Sequence, residues 1–271
     1  MLLNAHQTHD TTASVSLDLG RSRAEVLLEA EGVVFPNGQK LSWADIVTIQ
    51  RDDVGCYAIA EDDTLHKIQQ YSDQLDRFCS LMPTEGAPTL LIAGFIMHRI
   101  KGIDPYEDTQ RKIRAIGTLR GQVLDTSTGL GYTAIAAAQS AEHVITIELD
   151  PTVLEIARYN PWSRQLFERP NIEQRIGDSF EQVQVLEDKR FSRIIHDPPA
   201  FSLAGELYSG VFYQQLFRVL KPGGRLFHYI GDLSSKSGSG VTRGVVRRLQ
   251  EAGFVRIKRR PEAFGLVAYA T

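Results

Sequence analysis

Cysteine is scarce. The 271 residues hold two, Cys56 and Cys79, with no C-x-x-C spacing. That excludes a zinc ribbon or a disulfide framework and leaves buried, reduced thiols as the expectation. Long apolar runs are missing too: the longest, Ala87–Met97, is about half of the roughly 20 residues a membrane-spanning helix needs. The opening MLLNAHQTHDTTAS has no basic stretch leading into an apolar one, so it does not read as a secretory signal. A cytoplasmic protein with no membrane partner is the expectation. Neither sign of charge dominates: 30 Lys+Arg face 33 Asp+Glu, with 42% apolar residues. This balance excludes a disordered or fibrous chain and allows one large or two modest cores.

The near-neutral total hides a division. Residues 1–110 carry 8 basic and 17 acidic side chains, whereas residues 111–271 carry 22 and 16. A change of sign on that scale marks two regions of different character. We read 1–13 as a flexible leader, 14–100 as a β-rich N-terminal domain and 101–271 as a second domain. In the β-rich part, SVSLDLG and AEVLLEAEGVVF alternate apolar and polar residues, as half-buried strands do. SWADIVTIQ reads as a short helix capped by Ser42. Residues 65–82 are ambiguous, and APTLLIAGFIMHRI reads as one or two buried strands.

Beyond Asp104-Pro105 a helix runs to about Ile116, with proline at its first position and acids in its first turn. Strands and helices then alternate. GQVLDTS, HVITIELD, NIEQRIGD, FSRIIHDPP and RLFHYIG read as strands, with helices between them and VRIKRR and GLVAYA as final strands. LAGELYSGVFYQQLFRVL reads as one helix closed by KPGG, and Ser234–Gly240 as a flexible loop. Short β-branched runs suit strands covered on both faces. The pattern predicts an α/β fold: a Rossmann-like, mostly parallel seven-stranded sheet with helices on both faces, beside the smaller β-rich domain.

Asp125-Thr-Ser-Thr-Gly129-Leu-Gly131 follows the first of these strands. Ligands of such sheets sit beyond the carboxyl ends of the strands, and glycines there let the backbone approach. Glu148 closes the next strand, where a carboxylate can accept both hydroxyls of a ribose. Ala134 replaces the last glycine of a dinucleotide fingerprint, and the loop starts with an acid, Asp125. A carboxylate there repels a pyrophosphate and suits a cationic amino-acid moiety, which favours S-adenosylmethionine (SAM) over NAD.

With DTSTGLG, the acid of ITIELD, Gly177-Asp178, Asp197-Pro198-Pro199 and LKPGGRLF in order, residues 117–271 resemble a class I, Rossmann-like SAM-dependent methyltransferase. Within that superfamily the chain is most similar to a sparsely characterised group with a DPPxFS motif. The resemblance implies that Asp125, Ser127, Gly129 and Gly131 line the methionine and ribose part of SAM. It further implies that Glu148 binds the ribose hydroxyls, that Asp178 binds the adenine amino group and that Asp197 lies beside the cofactor. His196-Asp197-Pro198-Pro199-Ala200-Phe201 resembles the (D/N)PP(Y/F) signature of enzymes that methylate nitrogen in planar groups. Asp197 would orient the acceptor amine, His196 is a candidate base and Phe201 a candidate aromatic platform. No metal is called for.

The expected activity is direct methyl transfer to a nitrogen of RNA or of a small planar or amine substrate. Two alternatives stand beside it: an aminopropyltransferase of the spermidine-synthase type, which shares the core and a β-rich N-terminal domain, and a noncatalytic SAM-binding protein. The acidic N-terminal half is expected either to select the acceptor or to mediate homodimerisation. The C-terminal basic residues Arg243, Arg247, Arg248, Arg256, Lys258, Arg259 and Arg260 read either as a solvated face or as phosphate ligands.

Overall fold

The structure, a computed structural model, describes the backbone of residues 1–271 and all side chains except those of Lys236 and Ser237. The chain forms two compact units: Met1–Pro105 with Glu155–Arg164, and Tyr106–Leu154 with Gln165–Thr271.

The first unit is β-rich. Helix α1 (Leu2–Gln7) precedes β1 (Thr12–Val15), β2 (Ala24–Leu28), β3 (Gly32–Val34) and β4 (Lys40–Ser42), an antiparallel sheet in that order. Residues 1–13, expected as a flexible leader, thus hold a helix and the start of a strand. Helix α2 (Trp43–Arg51) opens on a capping box, in which the Ser42 hydroxyl takes the Asp45 amide and the Asp45 carboxylate takes the Ser42 amide. Val26, Val33, Phe35, Leu41 and Ile46 form the core of this part. The ambiguous stretch resolves into a hairpin, β5 (Tyr57–Ile59) with β6 (Leu65–Lys67), and a second antiparallel sheet. That sheet consists of β7 (Gln69–Ser72), β8 (Arg77–Met82), β9 (Thr89–Ile92) and β10 (Phe95–Ile96). Cys56 and Cys79 are buried here and form no disulfide; burial pushes the Cys56 thiol up to about 12.

The chain continues with α3 (Pro105–Ile116), β11 (Gln122–Asp125), α4 (Tyr132–Ala137), β12 (His143–Glu148), α5 (Pro151–Arg158), α6 (Arg164–Glu168), β13 (Ile172–Ile176) and α7 (Ser179–Gln184), all in the second unit except Pro105 and the stretch Glu155–Arg164. Then follow β14 (Phe191–His196), α8 (Gly210–Val219), β15 (Leu220–Tyr229), α9 (Lys236–Glu251), β16 (Val255–Arg260) and β17 (Gly265–Tyr269). The seven strands lie in the order β13-β12-β11-β14-β15-β17-β16. All neighbours are parallel except β17, which is antiparallel to both of its partners.

Strand alternation separates two cores. Leu226 and Leu266 pack with Val245 and Leu249 of α9 and Leu216 of α8. Phe227 and Val267 pack with Ile116 of α3 and Ala134 of α4. Helices therefore cover both faces, and strand order reverses between β11 and β14, where such sheets open their ligand crevice.

Three local expectations are corrected. The long helix before KPGG is instead a 3-10 turn over Gly205–Tyr208 followed by α8, because the Ser209 hydroxyl takes the Phe212 amide and starts a new helix. KPGG lies inside β15, whose register with β14 shifts between Phe191 and Arg193 to absorb it. The loop expected over Ser234–Gly240 is helical from Lys236: the Ser235 hydroxyl takes the Gly238 amide. A Cβ on Gly238 would stand 1.9 Å from the Asp232 carbonyl oxygen, so glycine is what lets the chain close there.

Candidate active site

The loop Asp125–Gly131 joins β11 to α4. Gly131, at φ +78°, ends the loop as the residue before α4, and a Cβ there would stand 2.7 Å from Leu166 Cδ2. Gly129, at φ +52°, would place a Cβ in open space. Its left-handed backbone favours glycine, and its outer side is left clear for a ligand. The Gly129 amide donates to Glu148 Oε2 at 2.7 Å, and the Asp150 amide donates to Glu148 Oε1 at 3.2 Å. The two elements expected to hold a nucleoside therefore meet directly. Burial pushes the Glu148 carboxyl up to about 7, against the pull of these amides.

Asp125 faces inward. It is fully buried, and its Oδ2 accepts from the Thr133 and Thr146 hydroxyls at 3.0 Å each. Oδ1 is buried with no hydrogen-bond partner among the described residues. Burial raises this carboxyl to about 7, the threonines oppose the rise, and the nearby Asp197 adds to it. Ser127 stands half-buried in the same loop. Asp178 is the N-cap of α7, its Oδ1 accepting from the Phe180 amide at 2.7 Å.

The ends of β14 and β15 hold two different sets of side chains. Successive strand residues face opposite ways. His196 lies on the α8 face, fully buried among Phe212, Tyr213 and His228. Its Nε2 donates to the Leu207 carbonyl at 2.9 Å, so its Nδ1 accepts from the Thr126 hydroxyl at 2.7 Å. Burial pushes it down to about 3. Both ring nitrogens of His196, the candidate base, are thus engaged in hydrogen bonds. His228, its register partner, is buried as well and receives the Tyr213 hydroxyl at 2.8 Å.

Asp197 faces the other way, toward α3. Lys112 Nζ lies 2.6 Å from Asp197 Oδ2, 3.0 Å from Asp108 Oδ2 and 4.5 Å from the Tyr229 ring centroid. Lys112 and Asp108 are almost wholly buried, whereas the Asp197 side chain keeps 19% of its exposure. Burial works against the Lys112 ammonium, but Asp197 and Asp108 together overcome it and hold the lysine above its ordinary value. Burial likewise lifts Asp197 above the ordinary carboxylate range, with Lys112 opposing. Asp108 and Lys112 did not emerge from the sequence as site residues; an i,i+4 Asp–Lys pair on the buried face of an amphipathic helix was the available signal. Phe201 is half exposed and stands edge-on to Tyr208, with ring centroids 5.4 Å apart. The Tyr208 hydroxyl donates to the Pro199 carbonyl at 3.0 Å, tying down the DPP loop.

No protein-family model matches the chain. It is 41% identical over 271 residues to the uncharacterized protein MJ1233 of Methanocaldococcus jannaschii, covering 98% of this chain and 91% of that one. The chain belongs to the family of that archaeal protein. It is also 27% identical over 147 residues to polyamine aminopropyltransferase 2 of Streptomyces coelicolor, which covers 51% of this chain and 26% of the relative. Among solved structures, a spermidine synthase in complex with the transition-state analogue AdoDATO superposes with a TM-score of 0.63 at 22% identity, over 81% of this chain and 80% of that one. The spermidine synthase of Thermotoga maritima gives 0.60 at 21% identity, over 80% and 79%. MnmC2 of Aquifex aeolicus gives 0.53 at 18%, over 70% of each chain. At these identities the likeness is one of fold alone. The spermidine synthase matches cover more of the chain than its second unit alone comprises.

Proposed function

We propose that the chain transfers the aminopropyl group of decarboxylated SAM to an amine. The observation that carries this reading is the charge balance at the carboxyl end of the sheet. Asp108 and Asp197 both engage the Lys112 ammonium, and the buried Asp125 carboxyl lies close enough to Asp197 to be raised by it. SAM brings a carboxylate into such a site, where it would face unfavourable charge. Its decarboxylated form brings only a sulfonium and an ammonium, both attracted. The aminopropyltransferase relative and the spermidine synthase folds support the same choice.

The residues present fit such a nucleoside. Gly129 offers an open backbone face, Glu148 a carboxylate already aligned with the loop, and Asp125 a buried oxygen lacking a hydrogen-bond donor. Ser127, Gly131 and Asp178 complete the set assigned to it. When bound, the nucleoside would supply a carbon activated by a neighbouring sulfonium: the amine's lone pair would form the new C–N bond as the C–S bond breaks, its electron pair returning to sulfur so that the nucleoside leaves as a neutral thioether. Asp197 accepts a hydrogen bond from that amine and takes up the proton it sheds, and its raised affinity for a proton suits the task. Lys112 fixes the carboxylate in place, and Phe201 with Tyr208 forms an aromatic edge beside the DPP loop. Most of the rate then comes from holding two reactants in line.

Methyl transfer to a planar nitrogen, the reading the DPP motif favours in sequence, gains less from the geometry. Tyr208 takes the Pro199 carbonyl, and Ala200 stands where that signature carries an aromatic ring. Incubating the purified protein with propyl-labelled decarboxylated SAM and, separately, methyl-labelled SAM, against polyamine and RNA pools, tests the choice. Label moving from the decarboxylated nucleoside into an amine is expected. Transfer from SAM alone would overturn the proposal in favour of a methyltransferase, and tight nucleoside binding with no transfer would make the chain a noncatalytic binder.

A further inference from the structure

The second unit carries a run of cations that the transfer chemistry does not use. Arg193 of β14 and Arg225 of β15 are register partners. Both lie on the α3 side of the sheet, two residues before Ile195 and Phe227 of that core. Tyr269 is the register partner of Arg225 on β17, and three cations crowd its ring: Arg225 at 5.2 Å, Arg256 at 5.6 Å and Lys258 at 5.9 Å. Toward the other end of the same edge strand, Arg260 joins Arg111 and Arg114 of α3 in lining a cavity of about 430 Å³, with Ala115 and Glu262.

Little neutralises this run. Among the described residues, Arg111 is paired with Glu107 at 2.6 Å, Arg193 and Arg225 donate to the Ser192 and Ile116 carbonyls, and Glu262 is the one carboxylate beside the three arginines that line the cavity. The Nε atoms of Arg193 and Arg260 are buried with no hydrogen-bond partner. Like charges left together cost stability, and a buried donor left unsatisfied costs more. Charges that only shielded an edge strand from aggregation would stay solvated; the Arg260 Nε on β16 does not. Arg256, Lys258 and Arg260 of the run follow β16 at alternate positions, a strand of six residues, about 20 Å long. Guanidinium groups spread over that length match a chain of phosphates better than a single anion.

We propose that the α3–β16 edge of the second unit binds the phosphate backbone of a nucleic acid strand. The inference does not depend on which group the active site transfers. Fluorescence anisotropy of a labelled oligouridylate, titrated with the full chain across a salt series, tests it, with tripolyphosphate as the competing free anion. Binding is expected, with log K falling linearly as log salt rises. Joint substitution Arg114→Gln and Arg260→Gln should weaken binding about tenfold or more and flatten the salt slope by about 0.7 for each lost contact. The pair Arg256→Gln and Lys258→Gln, on the exposed edge, should act in the same direction and keeps the test open if the first pair fails to fold. Arg243→Gln with Arg247→Gln, on α9 at the opposite face, should change nothing. No binding of the oligouridylate at low salt would overturn the proposal. So would binding of tripolyphosphate alone, or an equal loss from the α9 pair.

Discussion

Lys112 Nζ and Asp197 Oδ2 lie 2.6 Å apart although 85 residues separate them in sequence. The contact joins α3 to the end of β14 and gives the candidate base its fixed orientation. Removing one member of a buried ion pair costs about 3–5 kcal/mol, because the other charge stays behind. Lys112→Met should therefore lower the midpoint of urea unfolding sharply, since Asp108 and Asp197 would face each other unneutralised. Lys112→Met combined with Asp108→Asn should recover much of that loss. A single substitution with no effect on the midpoint would show that the pair contributes nothing to the fold.

Asp197→Asn keeps the shape and removes the proton acceptor. Turnover should fall about a hundredfold or more, well beyond the loss of nucleoside affinity that calorimetry would show for one carboxylate fewer. Unaltered turnover would exclude Asp197 as the group that takes the proton.

Much of this site is legible in sequence for local reasons. Asp125, Gly129, Gly131 and Glu148 occupy strand ends and the turn between them, positions that periodicity alone locates. Period-two alternation also separates His196 from Asp197, since adjacent strand residues must face opposite layers. What sequence could not show is the partner across the fold. Acids in the first turn of α3 read equally well as dipole partners, and only tertiary packing makes Asp108 and Lys112 a buried pair. KPGG and Ser234–Gly240 misled for a related reason: strand pairing and a serine cap override the turn preference of glycine.

The glycine loop separates conformational cost from steric cost. Gly129→Ala should cost about 1–2 kcal/mol, the penalty of a left-handed backbone alone, because its Cβ would meet nothing within 4 Å. Gly131→Ala adds a collision with the buried Leu166 side chain and should destabilise the protein more in thermal unfolding. Equal effects would mean that Leu166 yields freely.

Glu148→Ala should weaken nucleoside binding about tenfold by calorimetry, the worth of a charge-assisted hydrogen bond. It also frees the Gly129 amide, so a variant that binds as tightly as the parent would dismiss both the ribose contact and the carboxylate's hold on the loop.

The two raised carboxyls fix the sign of a pH effect. Asp125 and Glu148 titrate at about 7 in the folded chain, against about 4 when unfolded. The folded state therefore holds the extra protons between those values, and the stability this contributes is complete below about pH 4 and lost as pH rises through about 7. His196, pushed down to about 3, works oppositely, adding stability between about pH 3 and 6.5. From about pH 6.5 to 8 the carboxyls act alone, so the unfolding temperature should fall across that interval, and Asp125→Asn should reduce the slope. Ionising the same carboxyls attracts a cationic nucleoside, so its affinity should rise over the interval in which stability falls. Calorimetric titrations at the two ends of the interval check this, and affinity that stays flat or declines would remove Asp125 and Glu148 from the binding of the sulfonium nucleoside.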